Sequence, residues 1–449
     1  MVIGMRIKEL VKSITLGALV LSSIILTVLI WDFSPDVANV DNEPTKEVNK
    51  AIGPSFEAEI NQVIAPFQLV DVNGTMVEGM PATSEVNHLT DVFNKQHIKK
   101  VVYIENDQSL MLRDLSDHFL VLDYPTDIPL SMYLSDTLDV QAKVPSQFKF
   151  DRLLYDIDAT DHLVLYAIDS ERHRSVKMMT SVKGENVKQQ LKPLKTAMRP
   201  YMNISTNEDT INKATYIYAQ KEPQNLKTYR TIFNHINVED LNAILFDDTP
   251  IVRTTKSGNT IYNNNTGVVN YDADKKTYHY TNLSEDEHST RDMNISIPRT
   301  FDYINEHGGF TDDFRLFQSN DQQGLITYQM FLNGRPIFYP NQLNQIHVSW
   351  GERGIYEYSR GLLKTNVTID NGKKPKKLPA LEDVRASLAS NNTIDFRKVE
   401  QLVVGYRMVS QKGPDDRLEI QENSQFEPTW YIKHAGTWYE YDDGELIEQ

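Results

Sequence analysis

The chain has no cysteine among its 449 residues. Disulfides, thiolate metal ligands and thiol nucleophiles are therefore excluded together, and stability must come from hydrophobic packing. Positive charge is also short: 46 Lys and Arg against 62 Asp and Glu give a formal net charge of −16. Nucleic acid and phosphate-rich ligands need a broad basic face, so no nucleic-acid partner is expected. The histidines are scattered, with no H-E-x-x-H and no cluster at zinc spacing. "DVNGTMVEG" lacks the alternating acids of a calcium loop, and no G-x-S-x-G elbow occurs. "DEHSTRD" offers Asp286, His288 and Asp292 to a metal, but in a polar loop these read as solvated charge. No catalytic residue, metal site or cofactor is assigned, and the chain reads as a non-enzyme.

One long apolar run is present. "SITLGALVLSSIILTVLIW" contains no charge over residues 14–31. At about 1.5 Å per residue, a helix of that length crosses a hydrocarbon core of about 30 Å. Arg6, Lys8 and Lys12, opposed by Glu9, precede it, while Asp32, Asp36, Asp41 and Glu43 follow. The positive-inside rule then puts residues 1–13 in the cytoplasm and everything after residue 31 outside. A cleaved signal peptide would need small residues at the end of the run, where "LIWDFSPD" has bulky ones. The expectation is a single-pass protein of the cell membrane, in contact with the lipid bilayer through a transmembrane helix at 14–31. The tail before the run carries +2 from three cations and one acid, so the remainder carries −18 of the total −16. An exported part without disulfides suits a bacterium better than a eukaryotic secretory route.

Residues 32–55 are rich in Pro, Asn and Asp without hydrophobic period, and read as a stalk. Three α+β domains are expected beyond it, at 56–203, 204–308 and 309–449, built of antiparallel sheets with packed helices. In the first, "SEVNHLTDVFNKQ" sets Val86, Leu89 and Phe93 at helical spacing behind an N-cap serine, Ser84, and "HFLVLDYP", "FKFDRLLYDI" and "DHLVLYAID" are strand-like. "GENVKQQLKPLKTAM" reads as a helix interrupted by Pro193. The second has a short helix with Val238, Leu241 and Leu245, then the tyrosine-rich runs "NTIYNNNTGVVNY" and "KKTYHYTN" as a hairpin or meander, and a polar loop at "LSEDEHSTRDMN". In the third, Asn333-Gly334 between alternating runs is a strong hairpin signal, since a type I′ turn needs positive φ twice. Further pairings are expected across Gly351–Gly354 and at Ala435-Gly436, with a helix between them carrying Leu381, Val384 and Leu388 on one face.

Two chemical readings compete with an inert ectodomain. "SQFK", "STN" and "KSG" fall in the order found in penicillin-binding enzymes. That mechanism needs Ser146 and Lys149 one helical turn apart, whereas the segment is strand-like and would send residues three apart to opposite faces. Aromatic runs such as "TWYEY", with Trp430 and Trp438, could line a glycan groove, although aromatics in strands more often pack. An extracytoplasmic cell-wall enzyme or glycan-binding module is thus the alternative.

The basic-then-apolar start, the cysteine-free acidic remainder, and "GLITYQMFLNGRPIFY", "PALEDV", "VVGYRMV" and "PTWYI" together resemble the YycH family. The later part is also similar to the sister protein YycI. The resemblance implies a membrane-anchored, non-enzymatic regulator of the sensor histidine kinase YycG (WalK) of a two-component system governing cell-wall metabolism in low-GC Gram-positive bacteria. It implies YycI as a second partner, with contacts made partly through transmembrane helices. Close helix approach in lipid favours small and hydroxyl side chains. Ala18 with Ser22, and Ser23 with Thr27, are such pairs at four-residue spacing, on two different faces.

Overall fold

The computed structural model describes residues 16–17, 19–20, 22–23, 52, 58–93, 96–104, 115–205, 217–254, 259–285, 292–391, 394–410 and 423–449. The chain divides into two compact units, Met1–Asn49 and Lys50–Gln449. In the first, residues 16–17, 19–20 and 22–23 are helical and exposed, and the Ser22 hydroxyl donates to the Leu19 carbonyl at 2.9 Å. Among the described residues no helix is long and apolar enough to cross a membrane, and most of residues 14–31 lies outside them.

The second unit opens with a nine-stranded antiparallel sheet. Its strands are β1 (Gln68–Asn73), β2 (Met76–Pro81), β3 (Ile98–Ile104), β4 (His118–Pro129), β5 (Lys149–Asp156), β6 (His162–Asp169), β7 (Arg174–Lys183), β8 (Arg199–Asn203) and β9 (Tyr218–Gln220), in spatial order β3-β7-β6-β5-β4-β1-β2-β8-β9. Side chains alternate faces along a strand, and here both faces are covered. Leu163, Leu165 and Ala167 of β6 enter one core, while Val164, Tyr166 and Ile168 enter another. The uninterrupted apolar run "LVLYAI" follows from that double burial. Leu120 and Leu122 against Phe119 and Val121 on β4 repeat the arrangement.

A second sheet takes the rest: β10 (Tyr229–His235), β11 (Ile251–Thr254), β12 (Asn259–Asn263), β13 (Gly267–Asp272), β14 (Thr277–Asn282), β15 (Phe314–Asn320), β16 (Leu325–Leu332), β17 (Arg335–Phe338), β18 (Gln345–Trp350), β19 (Ile355–Gly361), β20 (Leu363–Asp370), β21 (Val399–Ser410), β22 (Asn423–His434), β23 (Thr437–Asp442) and β24 (Glu445–Glu448). Its main path runs β11-β12-β13-β14-β19-β18-β16-β17-β21-β22-β10-β20. One pair, β17 with β21, is parallel. Strands read from 204–308 and from 309–449 therefore share one ladder, and β9 closes the first sheet through β8. The mixture of antiparallel sheets and a few helices is the α+β class expected.

The turns follow their chemistry. Asn333 and Gly334 have φ of 52° and 74° and join β16 to β17 as a two-residue hairpin. Ala435-Gly436 does the same between β22 and β23, and the Gly351–Gly354 segment joins β18 to β19. Asp443-Gly444 makes a further hairpin, into β24, that the sequence reading did not include.

Four longer helices cover the sheets: α1 (Gly184–Leu194), α2 (Val238–Leu245), α3 (Met293–Glu306) and α4 (Leu381–Ser390). Leu381, Val384 and Leu388 of α4 are fully buried, as are Val187 and Leu191 of α1. Two corrections arise. The segment after Thr83 is a short helix, Ser84–Asn87, continuing as a 3-10 helix, His88–Phe93, with Thr83 and not Ser84 as its cap residue. And α3 begins inside the segment read as a polar loop and continues through residues given no element: Asp292 caps it by accepting from the Asn294 amide at 3.0 Å, and Pro298 lies inside it.

The sheets meet along a polar seam. Arg315 is 2% exposed, donates to the carbonyls of Ala82 at 2.7 Å and Pro66 at 3.3 Å, and holds Asp313 with two further donors at 2.9 Å. Gln401 donates to the Tyr124 carbonyl at 2.7 Å, and Lys433 to that of Pro125 at 3.0 Å. These bonds satisfy carbonyls that water cannot reach, which fixes one sheet against the other.

Candidate functional site

A hollow of about 550 Å³ opens beside this seam, lined in part by Ser146, Lys149, Arg172, Arg174, Asn294 and Asp321. β5 and β7 supply Lys149 and Arg174, the turn between β6 and β7 supplies Arg172, and the first turn of α3 supplies Asn294. Both Ser146 and Lys149 border it, because Ser146 lies in the turn ahead of β5, so the expectation that they face apart is corrected. Lys149 nevertheless donates to Asp321, and the Ser146 carbonyl accepts from Asn294 Nδ2 at 3.2 Å. No hydrogen bond joins the Lys149 amine to the Ser146 hydroxyl among the described residues, so the pair is not set for proton transfer.

Acids set the electrostatics of the hollow. Arg172 meets Asp127 at 3.3 Å, and Arg174 Nε meets Asp169 at 3.1 Å while its guanidinium lies 5.7 Å from the Phe148 ring centre. Burial, reinforced by Asp169, raises the Asp127 pKa. Asp151 is pushed up to about 6, chiefly by burial, which Arg152 opposes. Asp321 goes the other way: burial is the largest single influence and works against ionisation, but the bond from Lys149, a backbone bond and the charges of Lys149 and Arg172 together outweigh it. Every cation named here has a carboxylate partner, and the hollow presents a nearly balanced polar lining. Arg172 and Arg174 escaped sequence reading although Asp169, which both meet, opens the charge-dense turn "DSERHR" that holds them; only Asp127 comes from a distant part of the sequence.

The aromatic residues considered for glycan binding are packed. Trp430 is 1% exposed and donates to the Pro379 carbonyl at 3.1 Å, while Trp438 stacks on Phe317 with ring centres 5.4 Å apart. A sugar needs an exposed ring face, which neither supplies, so the aromatic-groove reading is corrected. Among the described residues, no group of three His, Cys, Asp or Glu could hold a metal ion. Asp292 serves as the α3 cap, and Asp286 and His288 lie outside the described residues.

Of the four residues read as a helix-contact face, Ser22 and Ser23 are helical and exposed. Ala18 and Thr27 lie outside the described residues.

Two family models account for almost the whole chain: the N-terminal domain of YycH protein matches residues 9–196 and its C-terminal domain matches residues 214–444. The chain belongs to the YycH family. It is similar to the two-component system WalR/WalK regulatory protein YycH of Bacillus subtilis (strain 168), at 21% identity over 96% of this chain and 95% of that protein. The crystal structure of YycH from Bacillus subtilis has the same fold, with a TM-score of 0.64 over 88% of this chain and 97% of the other at 13% identity. At that identity the overall fold is retained while most side chains differ.

Proposed function

We propose that this protein is a membrane-anchored, non-enzymatic regulator of a two-component system, acting on a WalK (YycG) type sensor histidine kinase together with a YycI partner. The observation that carries the reading is the end-to-end match to a regulator of that system, 96% of one chain against 95% of the other. The chemistry agrees: Ser146 lacks an available base in Lys149, and the tryptophans are packed. Residues 14–31 anchor the chain as a single transmembrane helix, with the N-terminus cytoplasmic and the bulk extracytoplasmic. Ala18, Ser22, Ser23 and Thr27 contact neighbouring helices of the kinase and of YycI. Small and hydroxyl side chains at four-residue spacing allow that approach.

The test replaces residues 14–31 by an unrelated transmembrane helix and reads kinase output and co-purification from membranes. Both are expected to change, and the double substitution Ala18→Leu and Ser22→Leu to weaken co-purification in part. Output and association equal to wild type would defeat the membrane-contact reading. A penicillin probe is expected to leave Ser146 unlabelled; stoichiometric labelling there would restore the enzyme alternative.

A further inference from the structure

β20 ends the path of the second sheet. It pairs with β10 on one side, and no strand pairs with its other side among the described residues. Sheet edges of this kind are templates for another chain, and proteins usually blunt them with bulges, charge or a covering segment. The first half of β20 is blunted. Asn366 is the extra residue of a bulge between the Ile232 and Phe233 pairings, and the Thr365 amide already donates to Asp312 at 3.0 Å.

The second half is open. The Asn371 amide donates to the Thr228 carbonyl, which fixes the alternation of the antiparallel pair. Ile369 and Val367 then bond inward to β10, while Thr368 and Asp370 each direct an N–H and a C=O away from it. Val367 and Ile369 also share a side-chain face and are 42% and 48% exposed. Two β-branched side chains left in water on an edge strand are the opposite of edge protection.

Charge points to the occupant. Directly after β20 come Lys373, Lys374, Lys376 and Lys377, and no acid occurs between Asn371 and Leu381, in a chain of net charge −16. Lys373, Lys374 and Lys377 are exposed. A second copy is a poor fit. Two β20 strands paired about Ile369, which sets Thr368 of each opposite Asp370 of the other, would set Lys374 against Lys364 and would need the half that Asp312 and the bulge obstruct.

We propose that the Asn366–Asn371 edge docks an extended acidic peptide segment of a partner protein by strand addition. Its backbone pairs with Thr368 and Asp370, alternate apolar side chains cover Val367 and Ile369, and its acids meet the lysine run. This extracytoplasmic contact is separate from the helix contacts proposed above. Either can fail alone, because the anchor replacement leaves β20 intact.

The test uses the full-length chain in detergent micelles and fluorescence anisotropy. The probe is a labelled octapeptide of alternating valine and glutamate, end-capped, with two controls: the same peptide methylated on every backbone nitrogen, and polyphosphate of equal charge. Saturable binding is expected, weakened about tenfold by backbone methylation and by Thr368→Pro, which removes one outward donor. The double variant Lys373→Glu and Lys374→Glu should weaken binding several-fold and flatten its salt dependence. If Thr368→Pro does not fold by its melting curve, the methylated peptide decides alone. No saturation by about 1 mM would overturn the proposal, as would equal binding of the methylated peptide. Polyphosphate bound as tightly as the peptide, with the lysine variant alone affected, would identify an anion surface instead.

Discussion

β6 and β20 are both eight-residue strands, yet they sit in opposite circumstances. β6 lies between β5 and β7 with residues of both faces in hydrophobic cores, and seven of its residues are buried. Among the described residues β20 has one neighbouring strand, and it carries one buried residue and two exposed β-branched side chains. Interior strands such as β6 commit their apolar surface to the protein's own stability. The margins leave apolar surface exposed: Tyr103 on β3 in the first sheet, and in the second β20 and also β11, where all four residues are exposed. Regions that recognise other molecules must keep surface uncommitted, so this asymmetry divides holding from contacting.

That contrast can be broken most forcefully at its stable end. Leu154→Ala in β5, at a residue with no exposure, is expected to cost about 2–5 kcal/mol in urea unfolding of the full chain. A loss below about 1 kcal/mol would mean the second core is poorly packed. Arg315→Leu leaves the carbonyls of Ala82 and Pro66 without this donor, and should cost about 2–3 kcal/mol with some loss of cooperativity between the sheets.

A pH comparison sharpens the contrast, because one group in each sheet responds with opposite sign. Asp151 has a folded pKa of about 6, above its ordinary 3.8, so the folded state holds the proton more tightly. Its contribution grows as pH falls from 7 to 5, by about 1–2 kcal/mol, and is lost as pH rises through 6. His347 on β18 is pushed down to about 4, by burial first and by His279 second. Its contribution is present above pH 6.5 and is lost as pH falls from 6.5 towards 4, with about 1–2 kcal/mol of it gone by pH 5. Unfolding at pH 5 and 7 should therefore show Asp151→Asn forfeiting the acid gain and His347→Gln forfeiting the acid loss. Parallel slopes for the two variants would contradict this assignment. The smallest effect is expected at the margin: Ile251→Thr in β11 should stay within about 0.5 kcal/mol of wild type, and a larger loss would show that the edge is covered.

Local features of this fold are readable because their causes are local. The short β-branched and aromatic runs of β4 to β6, the 3.6-period face of α4 and the positive-φ turn at Asn333-Gly334 are each legible from neighbours along the chain. α3 was obscured by Pro298, which removes one internal donor, although Asp292 and the spacing of Met293, Ile297 and Ile304 mark a helix. Asp443-Gly444 was an overlooked turn signal of the same kind as Asn333-Gly334. Pairing order was not legible: nothing in "YAQ" says that β9 will add to β8. The hollow was equally hidden, since Ser146, Arg172, Asn294 and Asp321 converge only after both sheets have formed.

The Asn333-Gly334 turn has a mechanical consequence. A methyl group at Gly334 would sit 2.6 Å from the Ala82 carbonyl oxygen, so the tip of this second-sheet hairpin is fitted against the backbone that follows β2 of the first. Rotating one sheet about the other would require withdrawing that tip and breaking the Arg315 donors beside it. The Lys50–Gln449 unit thus behaves as a stiff bracket more than as beads on a string. Load applied along the β20 margin would meet resistance at that hairpin tip and at the Arg315 donors, two points where the sheets are keyed together.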